Sequence, residues 1–489
     1  MAIDCTEKIC EENIECCINA AKTLDLDICG IDICTKDISV PFNRSDGIIM
    51  EINAAPGIRM HHYPWKGKKR NVGKAILEML YDEKPKSIPI VSITGTNGKT
   101  TTTRLISHVL KKMGNRVGMT CTDGIYLNDR CIHKGDDSGF DSAKTILMNN
   151  EVDVAVLETA RGGLVRRGLA YNLADVGIIT NITNDHLGLD GINTIEELSF
   201  TKALVGEAVK ENGFVVINAD DKYSKTIINR FEAEKIYFSK FKENPLIQEN
   251  ISNGKIAVFL EGNKICVVNN NRKYEIISIE ELPISYDGKL EYNIENAMAA
   301  CAGLVGLNID YCMISKGLMD FKLNSEHNSG RFNMYNYGGR KIILDYAHNI
   351  EGYKAVVSSL KKIKKGNNLI GVIGIPGDRK DDIGYSVGEI CANNFDKIVI
   401  KEDKDKRGRK SGEVAAILEK AILKTNKNAN LKICLDEIEA LKYAIEISEK
   451  DDIIIVFYEK LDSLLELIKK EPKESIDKMD VLDKKCETI

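Results

Sequence analysis

The chain has 489 residues, of which 43% are hydrophobic and 29% charged, and its 68 Lys and Arg against 73 Asp and Glu leave a net charge of -5 at pH 7. At roughly 150 residues per domain this length predicts about three domains, and the composition excludes an intrinsically disordered chain. The nearly balanced charge gives no sign of a nucleic-acid or membrane-surface partner.

The sequence shows no targeting signal, which predicts a cytoplasmic protein. The start, MAIDCTEKICEENIECC, carries acidic residues throughout and has no apolar core, so we expect no signal peptide. No apolar run approaches the ~18 residues that cross a bilayer, so we expect no membrane insertion. The 14 cysteines have irregular spacings and form no CxxC pair, which favours reduced, partly buried thiols over a metal cluster.

Two series of short, β-branched apolar runs alternate with helical patterns, which is typical of parallel sheets covered by helices. The first series is 88–94, 152–157, 176–181 and 214–218, and the second is 341–345, 369–375, 397–401, 431–435 and 452–458. Residues 243–283, richer in Asn, Gly and alternating polar residues, predict antiparallel strands added to the first sheet, and the polar stretch 322–331 predicts a hinge.

The strongest motif is the run Gly95, Thr96, Asn97, Gly98, Lys99, Thr100 and Thr101, which follows a predicted strand and opens a predicted helix. That context is typical of a phosphate-binding loop, in which backbone N–H groups and a Lys hold the phosphates and a Thr hydroxyl binds Mg²⁺. The loop is shorter than the general P-loop, because Ile93 stands where the first Gly would lie.

The GTNGKTT loop resembles the ATP loop of the Mur ligase family, whose members join a carboxylate to an amine through an acyl phosphate and consume ATP. The resemblance implies an α/β fold of three domains. These are a small N-terminal α/β remnant of ATP-grasp type (1–85), a central P-loop ATPase domain with a parallel sheet (86–328) and a C-terminal Rossmann-like α/β domain (329–489).

Three further residues form the implied catalytic and metal set with Lys99 and Thr100. Glu158 ends a predicted strand, where a carboxylate is well placed to hold Mg²⁺. The run TNITNDHL resembles the second-metal motif of the family and implies His186 as a ligand. By the same resemblance Lys202 is carbamylated, which turns an ammonium into an anionic ligand, and two Mg²⁺ ions are implied.

Residues of the nucleotide site and of domain closure follow from the same resemblance. Asn296 in YNIENA implies a contact with adenine, and Arg331 in the hinge implies a contact with the nucleotide as the last domain closes. Within DYAHN, which resembles the DYAHNP motif of the family, Asp345 implies a ribose contact and His348 a place near the phosphates.

Substrate residues are assigned more loosely. Arg407 and Arg409 lie in a third-domain loop where the family places amino-acid specificity, and an arginine fork suits a carboxylate. A solvated basic loop is the alternative, since 401–410 is a run of charges. Arg161, with the neighbouring glycines and the 136–139 loop, is a candidate to hold the acceptor.

Several stretches resemble the cyanophycin synthetase branch of the family, including LETARGGLVRRGL, GIPGDRKDDI and EINAAPGIRMHHYP, yet the body of an ATP-grasp domain is absent. We therefore expect an ATP-dependent peptide or isopeptide ligase of the kind that builds pseudomurein. It would join an amino acid to a small-molecule or peptidyl acceptor, with or without a linked nucleotide. One alternative is a cyanophycin-type ligase that adds Arg or another amine to Asp side chains, and another is a nucleotide-binding regulatory subunit without turnover.

Overall fold

The computed structural model describes residues 2–81, 87–185 and 187–469 and divides the chain into two compact units, Met1–Ser87 and Ile88–Ile489. The first unit contains helix α1 (Glu11–Thr23), strands β1 (Gly30–Cys34) and β2 (Ile48–Asn53), and helices α2 (Arg59–His62) and α3 (Val72–Tyr81). The two strands pair antiparallel. None of the hydrophobic side chains described in this unit is buried, and the ATP-grasp remnant of residues 1–85 stays a prediction.

The second unit holds two sheets, and the first of them begins at the phosphate loop. The elements of this central part are β3 (Ile90–Thr94), α4 (Lys99–Lys112), β4 (Val117–Cys121), β5 (Gly124–Leu127), β6 (Arg130–Lys134), α5 (Phe140–Leu147), β7 (Val154–Glu158), α6 (Arg161–Arg167), β8 (Ala174–Ile179), α7 (Ile195–Glu207), β9 (Val209–Asn218), β10 (Glu234–Ser239), α8 (Pro245–Ser252), β11 (Ala257–Glu261), β12 (Lys264–Asn269), β13 (Arg272–Ser278), α9 (Glu291–Gly306) and α10 (Tyr311–Asp320).

These strands form one 11-stranded sheet in the order β13-β12-β11-β10-β9-β8-β3-β7-β4-β5-β6. The seven strands from β11 to β4 are parallel, and an antiparallel pair is added at each end. The chain passes from β7 across β3 to β8, so the carboxyl ends of these strands border a crevice in which open α/β sheets bind ligands. The prediction for 243–283 is therefore only partly correct, because α8 lies within it and returns the chain to place β11 parallel to β10.

Apolar side chains fill both faces of the central sheet. On one face, Val91 and Ile93 of β3 pack with Leu105 and Ile106 of α4 and with the small residues of α9. On the other face, α7 and α8 cover β8, β9 and β10. Burial on both faces explains why the central strands have continuous apolar sequences instead of alternating ones.

The third domain has a second sheet of six strands in the order β14-β15-β19-β16-β17-β18, parallel except for the edge strand β14. Its elements are β14 (Asn333–Tyr337), β15 (Arg340–Asp345), α11 (Ile350–Ile363), β16 (Leu369–Ile373), α12 (Asp381–Ala392), β17 (Lys397–Ile400), α13 (Glu413–Thr425), β18 (Leu431–Ile433), α14 (Glu437–Glu446), β19 (Ile453–Phe457) and α15 (Leu461–Lys469). Helices α11, α12 and α13 cover one face, and α14 and α15 cover the other. The α/β fold with two parallel-rich sheets is thus confirmed. Within the three described ranges, no helix is both long and apolar enough to cross a membrane.

Candidate active site

The phosphate loop leaves β3 in a conformation that needs glycine. Gly95 and Gly98 have φ values of +149° and +87°, where residues with side chains are rarely found. A Cβ atom on Gly95 would lie 1.9 Å from Oγ1 of Thr180, and one on Gly98 would lie 2.2 Å from Oδ1 of Asn296. The two glycines therefore let the backbone approach β8 on one side and α9 on the other.

The carboxyl end of β8 holds this loop in place. The Thr96 N–H donates to the Asn181 carbonyl over 2.8 Å, and the Asn97 N–H donates to Asn181 Oδ1 over 2.9 Å. The Thr180 hydroxyl donates to the Asn97 carbonyl over 2.7 Å. These bonds fix the loop from within its own sheet, and α4 begins directly behind it at Lys99.

A buried carboxylate faces the first turn of α4. Glu158, which is 2% exposed, accepts hydrogen bonds from the hydroxyls of Thr100 and Thr122, both at 2.8 Å. The Thr122 N–H donates to the same carboxylate over 3.2 Å. Sequence reasoning missed both Thr122 and the strand before it; the apolar run VGMTC is the signal that could have placed Thr122 at a strand end.

A carboxylate and a hydroxyl are oxygen ligands of the kind Mg²⁺ prefers, and Mg²⁺ keeps several waters or phosphate oxygens besides one or two protein ligands. Thr100 and Glu158 fit such a site. Among the described residues, no group of three His, Cys, Asp or Glu side chains could hold a metal ion. The predicted ligand His186 lies outside the described residues.

Lys202 lies on the buried face of α7 and reaches the phosphate loop. Its Nζ donates to the Gly95 carbonyl over 2.7 Å, and the side chain is 3% exposed. Burial lowers the pKa of Lys202 well below its ordinary range, nearby Lys99 and Arg161 lower it further, and Asp185 opposes them. The structure therefore brings Lys202 and Lys99 to the same loop.

Two cavities meet at Lys99 and Glu158. The smaller, of about 350 Å³, runs over the phosphate loop and takes in Asn296, Arg331 and Asp345. The larger, of about 580 Å³, includes Arg161, Lys202 and Arg407 in its walls. Both cavities share one group of lining residues, which consists of Thr96, Lys99, Thr122, Glu158, Tyr346, Ala347 and His348.

Loops at the strand ends of the second sheet contact the phosphate loop and the segment that follows β8. The amides of Asn97 and Asn349 donate to each other over 3.3 and 3.0 Å, and Asn349 Nδ2 also donates to Asp185 over 2.9 Å. Nε of Arg379 lies 3.3 Å from Asp185 Oδ1. Glu291 of α9 also pairs with Lys362 of α11. We call these contacts between the central and third domains the closure contacts.

Arg331, which lies between α10 and β14, reaches Thr100, one of the two candidate Mg²⁺ ligands. Its Nη2 donates to Thr100 Oγ1 over 3.1 Å, and its guanidinium lies 4.7 Å from the ring centroid of Tyr346. Asp345 accepts the N–H groups of Phe332 and Ala347, both over 2.8 Å. Burial raises the pKa of Asp345 to about 6. The Asp345 carboxylate therefore fixes the backbone just before β14 and just after β15.

Two of the three arginines predicted to bind substrate line the larger cavity, and the third does not. Arg161 is buried, and its Nη1 donates to the Leu189 carbonyl over 2.8 Å. Arg407 lines the larger cavity and pairs with Asp378 at 3.0 Å. Within the described residues, Arg409 lines neither cavity. Its guanidinium instead binds a neighbouring loop and the first residues of α12 and α13, namely the carbonyls of Gly377 and Arg379 and the carboxylates of Asp381 and Glu413.

His348 lies at the junction of the cavities. Its Nδ1 is 2.9 Å from the Tyr346 carbonyl, which can only accept, so Nδ1 carries the proton. Burial lowers the pKa of His348, although Asp185 opposes that effect. The ring therefore contributes a neutral imidazole at neutral pH.

Known proteins share this architecture. The Mur ligase middle domain matches residues 93–304, and the Mur ligase glutamate ligase domain matches residues 330–457. Cyanophycin synthetase from Synechocystis sp. is 42% identical over 470 residues, which are 96% of this chain and 54% of that protein. The chain spans about half the length of the curated relatives of this name that it matches.

Two solved structures have the same fold. A pseudomurein peptide ligase type C from Methanothermus fervidus gives a TM-score of 0.55 at 22% identity and covers 83% of this chain and 86% of its own. A bifunctional folylpolyglutamate synthase/dihydrofolate synthase with Mn, AMPPNP and L-glutamate bound gives 0.58 at 20% identity and covers 81% and 93%. Because the models of the middle domain and of the glutamate ligase domain both match, this chain belongs to the Mur ligase family.

Proposed function

We propose that this chain activates a substrate carboxylate as an acyl phosphate and joins it to an amine. The observation that carries the proposal is the junction of the two cavities at Lys99 and Glu158. A nucleotide in the smaller cavity would present its γ-phosphate at the junction, and a carboxylate in the larger cavity would meet it there.

In this reaction the side chains mainly position the substrates and stabilise charge, and they form no covalent bond to them. A carboxylate oxygen attacks the γ-phosphorus and ADP leaves, after which the amine nitrogen attacks the acyl carbon, the C–O bond to phosphate breaks, and the amine proton leaves with the released phosphate. The Lys99 ammonium and the backbone N–H groups of the loop neutralise and hold the phosphates. Thr100 and Glu158 would hold Mg²⁺, which when bound adds positive charge beside the phosphate oxygens.

Lys202 suits carbamylation, because a neutral amine is the form that captures CO₂. Its nitrogen would bond the CO₂ carbon and lose a proton, and the resulting anion would offset the charges of Lys99 and Arg161, both of which depress its pKa now. We propose this carbamate, with His186, as the second metal position of the site.

The closure contacts support catalysis in a closed state. Asn349 and Arg379 reach the central domain at Asn97 and Asp185. When these contacts form, Arg331, Tyr346 and His348 complete the walls around the junction. Closure of this kind excludes water from a reactive acyl phosphate.

For the substrate, we propose a cyanophycin-synthetase-like addition of Arg or another amine to Asp side chains. The 42% identity to cyanophycin synthetase favours this reading over pseudomurein peptide synthesis, for which the similar solved structure supports the fold alone. Pseudomurein peptide ligation, the reaction expected from the sequence resemblance, is the second candidate, and the choice of acceptors in the test separates the two.

The test is phosphate release from ATP and Mg²⁺ by the purified chain, with each amine offered alongside each acceptor. Acceptors are aspartate-rich peptides, with and without arginine on their side chains, and peptides linked to nucleotides. We expect release only when acceptor and amine are both present, with a product heavier by the amine minus water. Release that needs no acceptor, or none with any pair, would contradict the ligase proposal.

A further inference from the structure

The smaller cavity has two ends that differ in chemistry. One end is the phosphate loop after β3, and the cavity passes the end of β8 to reach Phe238 on β10. In the sheet order β10-β9-β8-β3, these ends lie three strand spacings apart, or about 14 Å. A nucleotide with its phosphates on the loop therefore places its base near β10.

This far end, which we call the base end, has apolar walls and one acidic edge. Phe238 is 1% exposed, and Ala355 and Val356 of α11 also line the cavity here. The polar edge comes from α9, where Glu295 and Asn296 line the cavity. Apolar walls suit the faces of a planar ring, whereas the side chains on α9 can meet its hydrogen-bonding edge.

Glu295 is held in place by a lysine from the end of β10. Nζ of Lys240 lies 2.7 Å from Glu295 Oε1. The Lys240 backbone N–H donates to Asp220 over 2.8 Å, which anchors the loop that carries the lysine. Lys240 engages Oε1, and Oε2 provides a second acceptor on the same carboxylate. Burial raises the pKa of Glu295 while Lys240 lowers it.

We propose that Glu295, positioned by Lys240, accepts a hydrogen bond from the amino group at the 6-position of the base and so selects adenine over guanine. At that position adenine presents the N6 amino donor, whereas guanine presents the O6 acceptor, which a carboxylate repels; the N1–H and N2 donors of guanine lie farther along the edge of the ring. Asn296, implied by the family resemblance, lies closer to the phosphate loop, as the approach of its Oδ1 to Gly98 indicates. The inference rests on the proposed function only in placing ATP in this cavity.

The test measures binding of ATP and GTP to the purified full chain by calorimetry, without turnover. We expect the unmodified chain to bind ATP roughly 10- to 100-fold more tightly than GTP, the range that one base-edge interaction gives. Glu295→Leu should weaken ATP binding and bring the ATP:GTP ratio toward one. The matched control is Glu275→Leu, because Glu275 of β13 also pairs with a lysine, Lys264, at 2.5 Å, but is 50% exposed and lines neither cavity. It should keep the ratio.

A second variant guards against misfolding of the first. Lys240→Met releases the carboxylate without altering it, and we expect a partial loss of the ATP:GTP ratio with an unchanged circular dichroism spectrum. A chain that binds GTP as tightly as ATP, or a folded Glu295→Leu variant that keeps the original ratio within twofold, would overturn the inference. If the ratio responds as expected but no acceptor and amine pair releases phosphate, the ligase proposal fails while the reading of the base stands.

Discussion

The central sheet and the third-domain sheet both present loops at the carboxyl ends of parallel strands, but different bonds hold these loops. The phosphate loop is fixed by Thr180 and Asn181 of its own sheet. The third-domain residues Asn349 and Arg379 instead make site contacts across the cleft, to Asn97 and Asp185. The central half of the site is therefore preorganised, whereas the third-domain half depends on closure.

The strongest test of the preorganised half is Lys99→Ala. We expect ATP turnover to fall by roughly 1,000-fold or more, because one preorganised charge at a transferring phosphoryl group is worth that much. Acceptor-dependent ADP formation measures it. Lys112→Ala, on the exposed side of the same helix and paired with Asp320, is the control and should keep full activity. Full turnover by Lys99→Ala would remove the phosphate loop from the mechanism.

The next test addresses the carbamate on the same half. We expect Lys202→Ala to lose roughly 100-fold or more of its turnover and to recover part of it with added formate or acetate, since a small carboxylate replaces the anion. Labelled bicarbonate should give a carbamate carbon signal by NMR in the unmodified chain and not in the variant. An active Lys202→Ala without additive would reject the carbamate.

The packing of α4 against the segment that follows α10 should respond to acid through His108. This residue of α4 packs against Phe321 and His327, with ring centroids 5.4 and 4.7 Å away. Burial and the neighbouring His327 lower the pKa of His108 to about 4, although Asp320, 3.2 Å from its Nε2, opposes that shift. The unfolded chain therefore binds a proton between pH 6.5 and 4 that the native chain does not, so stability falls as pH falls, by about 2 kcal/mol at pH 5.

Denaturant unfolding of His108→Gln at pH 7 and pH 5 measures this effect. The variant should lose less stability on acidification than the unmodified chain, by about that amount. Equal pH slopes for His108→Gln and the unmodified chain would show that the buried ring does not titrate in this window.

The smallest expected effect separates closure from folding in the third domain. Asn349 caps α11 through the Gly352 N–H at 2.8 Å and also reaches Asn97 and Asp185. Ser can cap a helix but is too short for the contacts across the cleft. We expect Asn349→Ser to lower kcat by roughly tenfold with little change in unfolding free energy, whereas Asn349→Ala should lose about 1 kcal/mol of stability as well. Unchanged kcat in Asn349→Ser would mean that closure does not need this residue.

Much of the fold could be predicted because buried parallel strands have an apolar signature. Runs such as 369–375 and 452–458 correspond closely to β16 and β19. Strands β5 and β6 lie at an edge and alternate with polar residues, so their sequence gave little signal. The phosphate loop could be predicted for another reason, since its glycines and lysine are contiguous in sequence.

The rest of the site depends on distant segments that meet only in the folded chain. Thr122 is 36 positions from Glu158, which it binds, and Lys240 is 55 positions from Glu295. Arg409 is the opposite case, a residue that the sequence predicted for the site and that the fold places outside it. Its sequence context indicated a substrate arginine, yet its guanidinium binds the loops and helix around it, because only the fold determines which of two neighbouring arginines faces the cleft.

The closure contacts also differ in their response to electrolyte. The Asn97 and Asn349 amides carry no net charge, whereas Glu291 and Lys362 are ions with 57% and 38% of their side chains exposed. Added salt screens exposed ion pairs over about 10 Å at 0.1 M and leaves neutral amide bonds largely unaffected. Rising ionic strength should thus weaken the contact between α9 and α11 before it weakens the contacts of Asn349 with the phosphate loop.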